Sequence, residues 1–158
     1  MSELTRQLEV VHAALAQHQS RPGPLLEVLH AVQAELGYVP ATAVPVIAQG
    51  LNLSRAEIHG VLTFYHYFRQ QPAGRRVVQL CRAEACQAMG AAKLEQHVKQ
   101  RLGIDFHHTS ASGEYSLEAV YCFGNCARAP TACIDGELHG CVTVQRFDEL
   151  LAAGGTGK

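Results

Sequence analysis

The chain has 158 residues, of which 47% are hydrophobic and 17% are charged, and its formal net charge is −1. This composition is typical of a globular protein and excludes a mainly disordered one. The sequence contains no basic block and no run of about 18 apolar residues, which argues against nucleic acid as a partner and against a membrane span. Charges at Glu3, Arg6 and Glu9 interrupt the start of the chain, where a signal peptide would be apolar. We therefore expect a cytoplasmic protein with no direct membrane insertion.

The first part of the chain is predicted to be helical. Apolar residues recur at helical spacing before residue 20, and a second apolar face lies between Pro24 and Gly37, which suit a helix start and a helix stop. A third helix is predicted from about Ala41 to Leu51. Ser54 and Glu57 form a capping-box pattern, in which the hydroxyl and the carboxylate each accept a backbone N–H, so a fourth helix should begin there.

The pattern changes after residues 71–74, a Pro- and Gly-containing stretch that marks a boundary. The elements predicted beyond it are a buried strand from Val77 to Leu80, a helix from about Ala88 to Leu102, strands at Tyr115–Tyr121, Thr131–Asp135 and Leu138–Val142, and a final helix from about Val144 to Leu151. The sequence therefore predicts an α+β fold. A helical domain should cover residues 1–74 and an α/β domain residues 75–158.

Four of the six cysteines form two pairs. Cys81 and Cys86 have C-x4-C spacing, and Cys122 and Cys126 have C-x3-C spacing. Each pair begins where a predicted strand ends, so two loops at one edge of a sheet could bring four thiolates together. Sulfur ligands select iron–sulfur clusters, zinc or copper(I).

The spacing favours an iron–sulfur cluster without excluding the alternatives. Structural zinc sites usually contain tighter C-x2-C pairs, whereas a [2Fe–2S] cluster needs two thiolates on each of two irons. A zinc-stabilised interaction module and buried or disulfide-bonded cysteines remain open. A thiol redox protein is a third possibility, although its usual C-x-x-C motif is absent.

Several other residues have competing interpretations. Cys133 and Cys141 are predicted to be small core residues, and the pair at 107–108 is predicted to be a loop before a strand and not a pair of metal ligands. Arg82 and Arg128, next to the cysteines, either tune a bound group electrostatically or are ordinary solvated or partner-facing residues. The aromatic run at 64–68 either packs one domain against the other or forms a partner surface.

The sequence resembles the thioredoxin-like [2Fe–2S] ferredoxin family over about residues 25–151. The resemblance rests on QAELGYVP (33–40), on IHGVLTFYH (58–66), on the Cys81 pair and on YCFGNCARAP (121–130). It implies a thioredoxin-like α/β domain that carries one [2Fe–2S] cluster, with Cys81, Cys86, Cys122 and Cys126 as its ligands. Cys133 and Cys141 fall where members of the family more often carry other residues.

Within the family, residues 64–75 and 81–87 are most similar to the gamma subunit of soluble NAD-dependent formate dehydrogenase. This resemblance implies a non-catalytic electron-transfer subunit. Its partners would be a beta subunit that binds FMN and NAD and an alpha subunit that contains the molybdenum cofactor and oxidises formate. The alternatives are the equivalent subunit of respiratory NADH-quinone oxidoreductase and that of the diaphorase of an NAD-linked hydrogenase.

Overall fold

The structure is a computed structural model that describes residues 2–154. Position 1 and residues 155–158, at the outer ends of the two predicted domains, lie outside the described residues. The chain divides into two units between Pro72 and Ala73. No helix in the described part of the chain is both long and apolar enough to cross a membrane.

Within residues 2–72, the first unit contains four helices. These are α1 (Glu3–His18), α2 (Leu25–Leu36), α3 (Ala43–Leu51) and α4 (Arg55–Phe64). Ser2 caps α1 through a hydrogen bond from the Thr5 N–H, and the predicted capping box of Ser54 and Glu57 is present at the start of α4. Gly37 ends α2 in the left-handed conformation, at φ 81°, which a glycine adopts without steric cost.

The four helices bury one apolar core, because each contributes an apolar face at helical spacing. Val11, Leu29, Ile47 and Ile58, one residue from each helix, are fully buried in it. The amide side chain of Gln33 is also buried, and it donates to the Tyr67 carbonyl at 2.9 Å and accepts the Arg69 N–H at 2.7 Å. This buried amide fixes the chain that leaves α4.

The second unit contains five strands and three helices in the described residues. In chain order they are β1 (Arg76–Cys81), α5 (Glu84–Ala88), α6 (Ala91–Leu102), β2 (His108–Thr109), β3 (Tyr115–Val120), β4 (Ala132–Ile134), β5 (Glu137–His139) and α7 (Val144–Ala153). A short 3₁₀ turn lies at Cys126–Arg128. With the helices of the first unit, this composition confirms the predicted α+β class.

The strands form one mixed sheet in the order β2-β3-β1-β4-β5. Of the neighbouring strands described, β1 and β3 run parallel and the other pairs are antiparallel. The chain between β1 and β3 contains α5 and α6, as a parallel connection requires a crossover segment. The apolar core of this unit lies between the sheet and the helices α6 and α7, with Val78, Leu117, Val98 and Phe147 fully buried.

Besides the strand predicted at Leu138–Val142, which is observed as β5 at Glu137–His139, two details differ from the predicted elements. The helix predicted from about Ala88 to Leu102 is observed as α6, and a separate short helix, α5, precedes it, with a break at Met89 and Gly90, where Gly90 has φ 91°. The second difference is β2, a two-residue strand that includes His108, where a loop was predicted. It exists because His108 and Thr109 pair with Leu117 and Ser116 of β3.

Candidate metal centre

The parallel pairing of β1 and β3 brings the two cysteine loops to the same edge of the sheet. Cys81, the last residue of β1, lies opposite Val120, the last residue of β3, and Cys122 follows two residues later. The Arg82 N–H donates to the Val120 carbonyl at 2.7 Å and extends the contact past both strand ends. The carboxyl ends of parallel strands lie at one edge, so both loops leave the sheet there.

The first cysteine pair is buried. Cys81 is 4% exposed and Cys86, within α5, is 2% exposed. They belong to a small apolar cluster with Ala91 and Ala129, against which Ala83 and Phe123 pack. Burial raises the pKa of the Cys86 thiol, and its hydrogen bond with Cys81 raises it further, whereas Thr131 lowers it through its backbone and side chain.

The second cysteine pair is exposed and lies on a constrained loop. The Cys122 and Cys126 sulfurs are 3.6 Å apart. The Gly124 N–H donates to the Cys122 sulfur at 3.3 Å, and Gly124 has φ 78°, which a side chain would disfavour. Cys122 itself has φ 115°, a strained value for a residue with a Cβ, and such strain is concentrated at functional sites.

The two pairs lie close enough to act on each other electrostatically. The pKa of the Cys126 thiol is raised first by its hydrogen bond with Cys122, then by the charge of Cys122, and also by the charge of Cys81 on the other loop. Phe123 and Ala129 of the second loop pack against the buried pair on the first. The loops therefore form one local site that contains four sulfur donors.

The geometry of the second pair fits two ligands on one metal ion. Two sulfurs bound tetrahedrally at about 2.3 Å are about 3.8 Å apart, close to the 3.6 Å between Cys122 and Cys126 and far from a disulfide bond. Across residues 2–154, no three or more His, Cys, Asp or Glu side chains meet at a position where they could hold a single ion. The donor set and its N–H···S contact are of the kind that holds an iron–sulfur cluster.

The two remaining cysteines have different surroundings. Cys133 is buried in β4, opposite Gln79 of β1 and Leu138 of β5, and burial raises the pKa of its thiol. Cys141 is exposed, contrary to its predicted place in the core, because it turns at φ 54° to donate its N–H to the Arg128 carbonyl.

The histidine pair at 107–108, and His97 of α6, make contacts within the sheet unit and away from the cysteines. His107 contacts Glu118 at 2.9 Å, and His108 contacts the Phe106 carbonyl at 2.9 Å. His97 of α6 contacts Asp148 of α7 at 3.0 Å. These contacts attach β2 and α7 to their neighbours.

The arginine beside the first cysteine is already paired. Arg82 donates to Glu95 at 3.0 Å and lies over the Phe106 ring at 4.9 Å. Lys99 bonds to the same Glu95 at 2.8 Å and to Asp105 at 2.9 Å. The charge of Arg82 is thus balanced by Glu95 of α6.

Three residues that support the cysteine loops were missed by the sequence analysis. Thr131 accepts the Cys81 N–H through its carbonyl, and Asn125 donates to the Thr131 hydroxyl oxygen at 3.5 Å. Gly140 lies so close to the second loop that a Cβ there would be 2.9 Å from the Asn125 amide nitrogen. These contacts join residues from separate strands and loops, so no local sequence signal marks them.

Comparison with known sequences identifies relatives across most of the chain. The sequence model of the thioredoxin-like [2Fe–2S] ferredoxin family matches residues 11–154. A subunit of the NADH-quinone oxidoreductase of Pseudomonas aeruginosa is 35% identical over 128 residues, which are 81% of this chain and 77% of that protein. The HndA subunit of the NADP-reducing hydrogenase of Solidesulfovibrio fructosivorans is 31% identical over 132 residues, or 84% and 77% of the two chains.

A solved structure shares the same fold. The air-oxidised form of an NAD⁺-reducing [NiFe]-hydrogenase superposes with a TM-score of 0.68 at 26% sequence identity. The match covers 85% of this chain and 23% of the hydrogenase chain, so this chain corresponds to less than a quarter of that polypeptide.

Proposed function

The chain belongs to the thioredoxin-like [2Fe–2S] ferredoxin family, and on that premise we propose that it transfers electrons as the gamma subunit of an NAD-dependent formate dehydrogenase complex. Family membership implies one [2Fe–2S] cluster. We assign Cys81, Cys86, Cys122 and Cys126 as its ligands. The main support for this assignment is that the two cysteine pairs lie close together at the ends of β1 and β3.

When bound, such a cluster accepts and releases one electron at a time without breaking a bond. The Gly124 N–H donates to the Cys122 sulfur and so stabilises negative charge on that thiolate. The apolar cluster around Cys81 and Cys86 keeps water away from one side of the site.

The second cysteine pair faces the electron partner in this proposal. Cys122 and Cys126 are exposed, and Tyr121, directly before them, is 69% exposed. A partner that covers this loop would approach the site more closely than one bound beside the buried pair. We place the beta subunit, with its FMN and NAD, against this loop, and the alpha subunit with its molybdenum cofactor further along the electron path. The exposed aromatic residues Phe64 and Tyr67 offer a further surface for a partner.

The assignment to formate dehydrogenase rests on the resemblance of residues 64–75 and 81–87. A second candidate is supported by the relatives, two of which are named as subunits of NADH-quinone oxidoreductase and of a hydrogenase. All three functions give the chain the same task, which is electron transfer beside a flavin subunit.

We also propose a cytoplasmic location, since each of the six cysteines is free and reduced thiols are usual in that compartment.

Affinity purification from the native cell tests this proposal. We expect a flavin-containing subunit and a molybdenum-containing subunit to co-purify with the chain. We expect the purified complex to reduce NAD with formate as the electron donor. The three complexes differ in the electron donor that they use, so formate, hydrogen and NADH should be compared on the same preparation. Activity with hydrogen, or with NADH and a quinone, and no activity with formate would contradict the assignment to formate dehydrogenase.

A further inference from the structure

A groove of about 530 Å³ lies beside the two cysteine loops, within the second unit. The residues that line it include Met89, Lys93, Pro130, Val142 and Val144. Met89 ends the short helix that contains Cys86, and Pro130 follows the second cysteine loop. The Val142 N–H donates to the Pro130 carbonyl at 2.9 Å, which holds two walls of the groove together. The groove therefore borders both cysteine loops.

The walls of the groove are mainly apolar, and one of them is open to solvent. Met89 is 63% exposed, whereas Val142, at 1% exposed, belongs to the buried core below. A methionine side chain is flexible and can adapt to the shape of an incoming side chain. The groove thus provides an apolar contact surface for a partner.

The segments that form the groove contain basic residues and no acidic ones. The segments without Asp or Glu are residues 85–94, 119–134 and 138–147. They contain Lys93, Arg128 and Arg146, although the formal net charge of the whole chain is −1. Lys93 and Arg128 are exposed, and neither forms an ion pair with any other residue in the described part of the chain. Positive charge is therefore concentrated and unbalanced at this groove.

The other lysine of α6 has a different environment. Lys99 contacts Glu95 at 2.8 Å and Asp105 at 2.9 Å, so its charge is balanced within the chain. Lys93 lies on the same helix, at the edge of the groove. An apolar surface edged by unpaired cations is complementary to a partner surface that is apolar and acidic.

We propose that the groove binds an acidic segment of the flavin-containing subunit, with an apolar side chain against Met89 and a carboxylate paired with Lys93. This inference rests on the proposed function, which places that subunit against the second cysteine loop, and it adds the chemistry of the contact. The groove borders that loop, so one contact both selects the partner and holds it close to Cys122 and Cys126.

Carbodiimide cross-linking of the native complex tests the inference. The reagent joins a lysine amine to a carboxylate that contacts it, with loss of water, and mass spectrometry of the digested complex identifies both residues. Lys99 is the internal control, because its contacts with Glu95 and Asp105 lie within the chain. We expect Lys93 to be joined to an Asp or Glu of the flavin-containing subunit. Lys93 joined to a second copy of this chain or to another subunit, or left unjoined while Lys99 reacts, would overturn the inference.

Charge reversal provides an independent measurement. Lys93→Glu is compared with Arg101→Glu, because Arg101 is exposed on the same helix, near Asp148 at 3.8 Å, and does not line the groove. The full-length variants and the wild type are each bound to the flavin-containing subunit isolated from the native complex. We expect Lys93→Glu to raise the dissociation constant about tenfold at low salt, by a factor that shrinks as the ionic strength rises. Arg101→Glu should bind like the wild type, and equal affinities of Lys93→Glu and Arg101→Glu would overturn the inference.

These tests separate the inference from the proposed function. A complex that contains the flavin subunit but shows no role for Lys93 would remove the inference and leave the proposed function intact. A complex that uses hydrogen or NADH in place of formate would remove the assignment to formate dehydrogenase and leave the groove and its partner unchanged. A chain that co-purifies with no flavin-containing subunit would overturn both.

Discussion

At the scale of single residues, the cysteines differ in what surrounds them. Cys122 has a strained backbone, a sulfur neighbour at 3.6 Å and an N–H donor from Gly124. Cys133 is buried in the middle of a strand, beside Asp135 and Gly136. The first environment suits a thiolate that binds metal, and the second suits a small apolar residue.

Substitution of these two cysteines should therefore have different effects. We expect Cys122→Ser to lose most of its iron and its visible absorption, because a hydroxyl is a poorer ligand than a thiolate. Cys133→Ala should keep the iron content and the spectrum of the wild type. Iron analysis and absorption spectra of the two purified variants check this, and the opposite pattern would show that the ligands are wrongly assigned.

Gly140 has no side chain, and the second cysteine loop packs closely against its backbone. A Cβ at this position would lie 2.7 Å from the Arg128 Cβ and 3.0 Å from the Arg128 carbonyl oxygen, as well as against Asn125. The Arg128 carbonyl also accepts the Cys141 N–H. Any side chain at 140 must therefore displace the segment that follows Cys126.

We expect Gly140→Ala to lower the free energy of unfolding by about 1–3 kcal/mol, the usual cost of overpacking, and to reduce iron retention. Gly60→Ala is the control, because Gly60 is exposed on α4 and a methyl group added there would have nothing within 4 Å. It should raise helix stability by about 0.5–1 kcal/mol. Urea unfolding followed by circular dichroism measures the free energy of unfolding of both variants. If Gly140→Ala were as stable as the wild type, the second cysteine loop could shift freely to make room for the methyl group.

At the scale of elements, α4 begins with a charge-dependent cap. The Glu57 carboxylate accepts hydrogen bonds from the Ser54 N–H and hydroxyl, both at 2.8 Å. These bonds, the backbone one first, hold the pKa of Glu57 below its ordinary value. A carboxyl group whose pKa is lower in the folded state stabilises the fold above its unfolded pKa, about 4.3, and this contribution disappears as the pH falls through the folded pKa.

Acidification should therefore distinguish the wild type from Glu57→Gln. We expect the melting temperature of the wild type to fall as the pH drops below about 4, and the fall to be shallower in Glu57→Gln, which has no charge to lose. Other carboxylates add to the overall slope, among them Asp105 and Glu114, whose pKa values are lowered by Lys99 and Arg75 respectively. If the melting temperatures of the two proteins fell equally with pH across this range, the charge of the Glu57 cap would contribute nothing to stability.

The elements that could be predicted are those with a strong local signal. β1 was found because its apolar run leads directly into Cys81, and α4 because Ser54 and Glu57 mark its start. α5 was missed because its five residues are too short to show a helical period. β2 was missed because two exposed residues form a strand only through their pairing with β3.

The site shows the same division between local and distant information. The cysteine pairs were recognised from spacing and from the residues around them. The roles of Thr131 and Asn125 depend on a hydrogen bond between a loop and the start of a later strand, and Cys141 is turned outward by a contact with Arg128. The sequence carries no periodic or motif signal for contacts of this kind.

At the scale of the whole molecule, three classes of protein could contain four cysteines in this arrangement. A cluster protein transfers electrons, a zinc protein uses the metal to hold its fold, and a thiol protein exchanges disulfides. The spacing of Cys122 and Cys126 suits two ligands on one iron, and the family match supports the first class. These classes differ in metal content and in their response to a reductant.

The most direct test is metal and sulfide analysis of the full chain purified without oxygen, together with its electron paramagnetic resonance spectrum before and after reduction. We predict about two irons and two sulfides per chain, a visible absorption that bleaches on reduction, and a paramagnetic signal that appears when one electron is added. A colourless chain that contains zinc, or a metal-free chain that turns over disulfides, would contradict the assignment of Cys81, Cys86, Cys122 and Cys126 to a [2Fe–2S] cluster.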